Sequence, residues 1–162
     1  MFLWMWGILM TTALADSWIT VNDTVMGGVS SSQIVPTEEG FTFSGEVSKE
    51  NNGGFASARQ NISQDVFRNS SGIQIQGDGD DLSYQIVVWM RGYGPRLYYR
   101  HVFYPTGTTQ FLSFADFEAV SYGRQVRAPA LPQMLDQAYA IGILMGNGYE
   151  GAFLLDVHKI SV

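Results

Sequence analysis

Apolar residues alternate with polar or small residues in short stretches along most of the chain, which is typical of β-strands with one buried face. The clearest stretch is 41–48, where Phe41, Phe43 and Val47 fall on one side of an extended backbone. The same pattern predicts further strands at residues 18–21, 54–61, 72–76, 82–90, 97–104, 109–114, 138–145 and 152–162.

Turns and loops, rather than long amphipathic helices, connect these strands. The connecting segments are predicted as an irregular stretch at 62–71 with one helical turn around 65–67, a turn at 77–81, a loop at 121–132 and a short helix at 131–137. Two pairs of neighbouring strands, 82–90 with 97–104 and 138–145 with 152–162, are expected to form hairpins. The pattern therefore predicts one all-β domain, a sandwich or barrel, over residues 16–162.

Residues 1–15 differ from the rest, because ten apolar-rich residues are followed by Ala13-x-Ala15. This pattern predicts a secretory signal peptide, and the apolar run is too short to span a bilayer. A buried first strand or a mis-assigned start codon are the alternatives. We expect a periplasmic or secreted protein if the leader is cleaved, and otherwise a cytoplasmic protein held at the membrane through a partner. No membrane span is predicted in the mature chain.

Composition narrows the classes of ligand. The net charge is −6, only 15% of residues are charged, and no run of Lys or Arg occurs. These features argue against nucleic acid as a partner. The chain has no cysteine, which excludes disulfides, thiolate nucleophiles and Cys-based zinc sites.

Several motifs resemble catalytic or metal sites, but the neighbouring sequence lacks the further residues or elements that such sites require. Gly146–Gly151 reads G-x-G-x-x-G, yet a strand follows where a dinucleotide site needs a helix. The acidic stretch 77–81 lacks the register of an EF-hand, and a calcium site of another kind stays open there. His101 and His158 are isolated within strands, and no nucleophile motif or carboxylate pair stands out. We expect no enzyme activity, no catalytic residue, no metal and no cofactor.

Two Gly-Gly pairs, Gly27–Gly28 and Gly53–Gly54, flank the strand at 41–48. Paired glycines are needed where the backbone takes a positive φ or where another group leaves no room for a Cβ. Asn22 and Asp23 precede the first pair and are residues that hydrogen-bond their own backbone in turns. The two loops are expected either to support the fold or to form a contact surface.

One strand face combines aromatic and cationic side chains. In 97–104, Tyr98 and Arg100 share a face with Tyr104, and Trp89 lies on the preceding strand. Aromatic rings and guanidinium groups bind sugars or peptides by stacking and paired hydrogen bonds. Trp89, Tyr98 and Arg100 are therefore a candidate carbohydrate-binding face, the alternative being a core face backed by ordinary surface.

The chain resembles the complex I intermediate-associated protein 30 family in two blocks of its N-terminal third. The matching residues are Trp18, Asn22 to Ser32, Phe43-Ser44-Gly45, Val47-Ser48, Glu50 to Ser57 and Arg59. Looser matches follow at residues 72–79, 111–117, 141–143 and 151–157. The resemblance covers nearly all of the chain after the leader.

This resemblance implies a galactose-binding-like jelly-roll β-sandwich without known catalytic activity. It also implies a role as an assembly factor or chaperone of respiratory complex I, whose subunits or assembly intermediates would be the protein partner. The candidate contact residues are Asn22, Asp23, Met26, Gly27, Gly28, Ser30, Glu50, Asn51, Asn52, Gly53, Gly54, Phe55 and Arg59. The alternative function is that of a carbohydrate-binding module of the cell envelope.

Overall fold

The computed structural model describes residues 18–92 and 96–162, and this part of the chain contains twelve strands. They are β1 (Ile19–Asn22), β2 (Ser31–Pro36), β3 (Phe41–Val47), β4 (Ala56–Asn61), β5 (Gly72–Gly79), β6 (Tyr84–Met90), β7 (Leu97–Phe103), β8 (Gln110–Ser113), β9 (Glu118–Ser121), β10 (Arg124–Gln125), β11 (Ala138–Met145) and β12 (Gly151–Ser161). The predicted leader at 1–15 lies outside the described residues.

The strands form two antiparallel sheets that pack face to face. The larger sheet has seven strands in the order β1-β4-β11-β6-β7-β9-β10, and the smaller has five in the order β2-β3-β12-β5-β8. The chain passes repeatedly from one sheet to the other, as in a jelly roll. The prediction of a jelly-roll β-sandwich is confirmed.

The core lies between the sheets and takes one face of each strand. Phe43 of β3 and Phe153 of β12 have ring centroids 4.9 Å apart, and Phe153 also meets Tyr84 of β6 across the sandwich. Ala56 and Ala58 of β4 point into this core, so Ser57 and Arg59 point to the opposite face. Ser57 and Arg59 therefore lie on the outer face of the seven-stranded sheet, away from the core.

The predicted hairpin of 138–145 with 152–162 is wrong. Strand β11 pairs with β4 and β6 in the larger sheet, whereas β12 pairs with β3 and β5 in the smaller one. The connection between them therefore crosses from sheet to sheet. A second correction concerns residues 77–79, which continue β5 where a turn is predicted, because they pair with β12.

Three further strands are absent from the prediction. Strand β2 lies at the edge of the smaller sheet and is mostly exposed. Its apolar residues Ile34, Val35 and Pro36 are consecutive, so it lacks an apolar alternation. Strands β9 and β10 are too short for a pattern to emerge.

The predicted short helix at 131–137 is present as two 3-10 helices, Leu131–Gln133 and Leu135–Gln137. No helix in the described ranges is long and apolar enough to cross a membrane.

Candidate binding cleft

The outer face of the seven-stranded sheet forms the floor of a cleft of about 950 Å³. Strands β4, β11, β6 and β7 supply the floor, and the loops after β1, β9 and β11 supply the rim together with the loop before β4. The lining residues are Val21, Val25, Met26, Asn52, Gly53, Gly54, Phe55, Arg59, Gln85, Trp89, Met90, Arg96, Leu97, Tyr98, Arg100, Tyr122, Gly123, Tyr139, Leu144, Gly146, Asn147 and Gly148.

Strand register places the floor residues in rows across the sheet. Gly142 of β11 pairs with Arg59 on one side and with Val87 on the other, and Val87 pairs with Arg100 of β7. Two arginines therefore stand on the same face of one row, three strands apart. In the next row, Trp89 pairs with Tyr98.

Trp89 lies flat on the floor between two neighbours. A Cβ added to Gly142 would come within 2.7 Å of the indole Cζ3, so the missing side chain at this position is what makes room for the ring. The guanidinium carbon of Arg59 lies 3.8 Å from the centroid of the ring, which is a cation–π contact. Only 8% of Trp89 is exposed.

The guanidinium of Arg59 is held in a mostly apolar setting. Its Nε is buried and has no hydrogen-bond acceptor among the described residues. Burial lowers the pKa of the Arg59 guanidinium, and the nearby Tyr139 partly offsets this effect. The group still carries its positive charge at neutral pH, because the ordinary pKa of arginine lies far above it.

Arg100 is paired only loosely. Its Nε lies 3.6 Å from a carboxylate oxygen of Glu118 at the sheet edge and has no hydrogen-bond acceptor in residues 18–92 and 96–162. Burial raises the pKa of the neighbouring Tyr98 hydroxyl, and the charge of Arg100 opposes this rise. Tyr98 therefore keeps its proton and offers a hydroxyl donor beside a guanidinium.

The cleft is cationic although the protein is acidic. Arg59, Arg96 and Arg100 line it, and no Asp or Glu side chain is among its lining residues in the described chain. The whole chain carries a net charge of −6. A fixed excess of positive charge in a partly desolvated groove attracts anionic groups more strongly than the same charge on open surface.

Gln85 adds a polar group to the floor. The residue is 2% exposed, its side-chain amide donates to the Asn147 side-chain oxygen at 2.5 Å, and its own Oε1 is buried without a partner among the described residues. A buried acceptor without a donor is unfavourable, so this atom is a natural contact for a ligand's N–H or O–H group.

Asp23 fixes the two glycine loops at one end of the cleft. Its carboxylate is fully buried and accepts hydrogen bonds from the Ser30 backbone N–H at 3.0 Å and the Ser30 hydroxyl at 2.5 Å. It also accepts from the backbone N–H groups of Gly54 at 2.6 Å and Phe55 at 3.2 Å. One carboxylate therefore joins the loop after β1 to the loop before β4.

The glycine pairs are explained by this carboxylate. Gly27 and Gly54 take positive φ values of 87° and 133°. The other member of each pair packs against Asp23: a Cβ on Gly53 would lie 2.5 Å from Oδ2, and one on Gly28 would overlap the carboxylate. Both reasons that the sequence suggests for paired glycines are thus present in each loop.

Hydrogen bonding also sets the charge state of Asp23. Burial by itself would raise the pKa of this carboxyl, but the hydrogen bonds from Ser30, Gly54 and Phe55 outweigh that effect and hold the pKa below 3.8. The loops are therefore tied to an ionised carboxylate at neutral pH.

Residues 9–157 match the profile of the family described as complex I intermediate-associated protein 30. The chain belongs to this family. The resemblance inferred from the two N-terminal motif blocks is confirmed, and the structure places these blocks around Asp23. No curated protein matches the chain in sequence.

Carbohydrate-binding modules are among the solved structures similar to this family member. The family 11 module of the cellulosomal cellulase Lic26A-Cel5E of Clostridium thermocellum superposes with a TM-score of 0.62 at 12% identity, covering 90% of this chain and 87% of that one. The same organism's family 11 module in complex with a β-1,3-1,4-mixed-linked tetrasaccharide gives 0.58 at 13% identity, covering 91% and 89%. At these identities the likeness establishes the jelly-roll fold alone.

The structure joins the two surfaces that the sequence analysis treats as alternatives. From the loop pair, Met26, Phe55 and residues 52–54 line the cleft, and Arg59 of β4 lies on its floor. From the candidate sugar face, Trp89, Tyr98 and Arg100 line the same cleft.

The remaining loop residues do not line the cleft. Asp23, Ser30 and Gly28 form its internal support, and Asn22 accepts a hydrogen bond from the Ser32 hydroxyl at 2.7 Å. Glu50 and Asn51 belong to the 3-10 helix Glu50–Asn52 but do not line the cleft. Gly27 does not line it either.

Thirteen lining residues are absent from the sequence-based candidates, and five of them have polar side chains: Gln85, Arg96, Tyr122, Tyr139 and Asn147. Gln85 carried a usable signal, because it is a polar residue inside the strongly apolar strand β6. The others come from loops or strand ends whose approach to the floor depends on the complete sandwich. The G-x-G-x-x-G segment contributes a turn, and Gly146–Gly148 form part of the rim.

The other candidate sites stay outside the cleft. His158 lies between carboxylate oxygens of Glu39 and Asp78, at 3.3 and 3.5 Å. Asp80, from the predicted turn at 77–81, accepts hydrogen bonds from the Tyr84 hydroxyl and the Leu154 N–H. No cluster of three or more His, Asp or Glu side chains suited to a metal ion occurs among the described residues.

Proposed function

We propose that this protein is a non-enzymatic binding module that holds a protein partner in the cleft and acts in the assembly of respiratory complex I. The observation that carries this proposal is the lining of the cleft, which is rich in Arg, Tyr and Met and free of carboxylates among the described residues. These residue types are enriched at the centres of protein–protein interfaces. The family to which the chain belongs supports the role in assembly.

The rim supports a protein partner over a sugar. Val25 is 71% exposed, Met26 is 51% exposed and Tyr122 is 63% exposed, and all three line the cleft. Exposed apolar side chains grouped around a groove are typical of surfaces that another protein covers. A sugar site depends on open aromatic faces, and Trp89, the largest ring of the cleft floor, is only 8% exposed.

Affinity capture from the protein's own cells tests this function. We expect the tagged protein, extracted in mild detergent, to recover complex I subunits in amounts measurable by mass spectrometry. Tyr98→Ala, which removes a ring from the cleft floor, should lower the recovery at least about fivefold, as expected for a contact residue at an interface.

Tyr104→Ala is the matched control, because Tyr104 is exposed on the chain just after β7 and does not line the cleft. It should recover the same subunits as the wild type. Absence of complex I subunits from every eluate would overturn the assembly role. Equal recovery by both variants would place the partner elsewhere on the molecule.

Carbohydrate binding is the second candidate, favoured by the position of Tyr98 and Arg100 on the cleft floor and by the fold shared with the carbohydrate-binding modules. Titration calorimetry with a β-1,3-1,4-mixed-linked glucan tests it. Binding that disappears in Tyr98→Ala and persists in Tyr104→Ala would support this candidate. No heat of binding with this glucan would remove it for this ligand.

We further propose that residues 1–15 are removed on export and that the mature protein acts in the periplasm. A partner would then belong to the membrane arm of the complex, since an exported protein cannot reach the cytoplasmic arm. Intact-mass measurement after cell fractionation tests this: an N-terminus at Asp16 in the periplasmic fraction is expected. A full-length chain in the cytoplasmic fraction would contradict export.

A further inference from the structure

Two arginines on the cleft floor have no carboxylate hydrogen-bonded to them within the described chain. We infer that Arg59 and Arg100 bind the carboxylates of an acidic, extended segment of a partner protein. This inference rests on the proposed function, and it specifies the chemistry of the partner that the cleft accepts.

Neither guanidinium is fully satisfied within the described residues. Arg59 Nε and Arg100 Nε are both buried and lack acceptors among the described residues, and Glu118 approaches Arg100 only to 3.6 Å from the exposed sheet edge. Each arginine is partly exposed and its Nε lacks a hydrogen-bond acceptor among the described residues, so a ligand that supplies carboxylate oxygens is preferred over a neutral one.

The Arg59 guanidinium is preorganised for a ligand by its contact with Trp89. The guanidinium of Arg59 rests on the Trp89 ring, whose position is fixed in turn by the space above Gly142. Its planar fork is therefore oriented before a ligand arrives, which reduces the entropy lost on binding. A carboxylate matches such a fork with two parallel hydrogen bonds.

The register of the sheet predicts the spacing of the two carboxylates. Arg59 and Arg100 are three strand spacings apart in one row, or about 14 Å between Cα atoms at about 4.8 Å per strand. An extended peptide covers about 13 Å in four residues at about 3.3 Å each. Acidic residues four positions apart, on a segment that runs across the strands, therefore fit the two arginines.

Two further groups favour a peptide over another polyanion. The buried Oε1 of Gln85 needs a donor, which the backbone N–H of a peptide supplies. The exposed side chains of Val25 and Met26 at the rim suit apolar side chains next to the acidic residues. An acidic sugar polymer offers the carboxylates and hydroxyl donors but no aliphatic groups of comparable size.

Selection from a displayed library of random nine-residue peptides tests the inference. We expect wild-type protein to enrich peptides with two Asp or Glu residues about four positions apart, and the Arg59→Gln/Arg100→Gln double variant not to enrich them. Calorimetry with an enriched peptide should show about tenfold or greater weakening when its acidic residues become Gln. Arg59→Gln and Arg100→Gln should each weaken the same peptide by a similar factor.

Arg68→Gln is the control, because it removes the same charge from an exposed loop outside the cleft and should bind as the wild type does. Thermal melting of each variant establishes that it is folded, and Arg100→Gln suffices on its own if Arg59→Gln does not fold. Enrichment without acidic residues, or no enrichment at all, would overturn the inference.

The outcome also separates this inference from the proposed function. Tyr98-dependent capture of complex I subunits together with failure of acidic peptides would retain the function and overturn the inference. Binding of oligogalacturonate by a protein that enriches no peptide would overturn both, because the ligand would then be an acidic sugar.

Discussion

At the scale of single residues, Asp23 determines the position of both loops at the cleft rim, since it accepts hydrogen bonds from Ser30, Gly54 and Phe55. We expect Asp23→Asn to lower the free energy of unfolding by about 3 kcal/mol, because an amide would direct donor hydrogens at backbone donors. Urea denaturation at pH 7 measures this loss. Asp65→Asn, at an exposed ion pair with Arg68, should change stability by less than about 1 kcal/mol.

The charge of Asp23 also predicts a dependence on pH. The pKa of this carboxyl is below 3.8 in the folded protein, because its hydrogen bonds stabilise the ionised form. Its contribution to stability is therefore complete above pH 3.8 and is lost as the pH falls further, through the folded-state pKa. Below pH 3.8 the wild type should lose stability more steeply than Asp23→Asn. Parallel curves for the two proteins would contradict this role.

The two glycine loops show which features of single residues can be predicted from the sequence and which cannot. The two physical reasons for paired glycines, a positive φ and a close neighbour, are general, so both were predictable. The identity of the neighbour was not, because Asp23 and Gly53 are thirty positions apart and meet only when β1 pairs with β4.

At the scale of elements, Gly142 in the middle of β11 couples the sheet to the cleft. A Cβ there would come within 2.7 Å of Trp89 and would overlap the Ala58 carbonyl. We expect Gly142→Ala to destabilise the fold by about 1–3 kcal/mol through overpacking. It should also weaken partner binding by displacing the indole and the Arg59 guanidinium above it, although residue 142 does not line the cleft.

Gly79→Ala provides the comparison for this prediction. Gly79 lies in β5 of the other sheet, where a Cβ would likewise overlap a strand carbonyl, that of Leu154. It should destabilise the protein while leaving partner binding unchanged. Equal binding by Gly142→Ala and Gly79→Ala would mean that the position of Trp89 does not matter to the ligand.

Strand existence was predictable from alternation, but strand pairing was not. Strands β11 and β12 are adjacent in sequence and both strongly apolar, which favours a hairpin by the usual local rule. Their pairing in different sheets is decided by distant strands, since β11 fills the gap between β4 and β6 and β12 fills that between β3 and β5. The local sequence pattern of β11 or β12 does not show which distant strands will lie on either side of it.

At the scale of the whole molecule, the sandwich turns two separate surfaces into one. The glycine loops and the Trp89 face are distant in sequence and each suggests its own ligand, yet closing the larger sheet through β4, β11, β6 and β7 places them around a single groove. A change at either surface therefore affects the same site. Binding and stability can still be separated, because the sheets are also joined away from the cleft.

Tyr84 makes such a connection between the two sheets. The residue is fully buried in β6, and its hydroxyl donates to Asp80, which also accepts from the Leu154 N–H of β12. We expect Tyr84→Phe to lower the free energy of unfolding by about 1–3 kcal/mol, since the hydrogen bond to a charged acceptor is lost. Partner binding in the cleft should be unchanged, because Tyr84 faces the core.

The stability that the Tyr84 hydroxyl contributes should depend on pH in the alkaline range. Burial and the hydrogen bond to Asp80 raise the pKa of the Tyr84 hydroxyl above its ordinary value of 10.0. The folded state therefore retains the proton more tightly than the unfolded state, so this contribution is complete below pH 10.0 and is lost as the pH rises above it. Urea denaturation between pH 9 and 11 should show a steeper loss for the wild type than for Tyr84→Phe. Tyr104→Phe, at an exposed ring, should follow the wild-type curve, and a Tyr84→Phe curve that also follows it would contradict the role of the hydroxyl in joining the sheets.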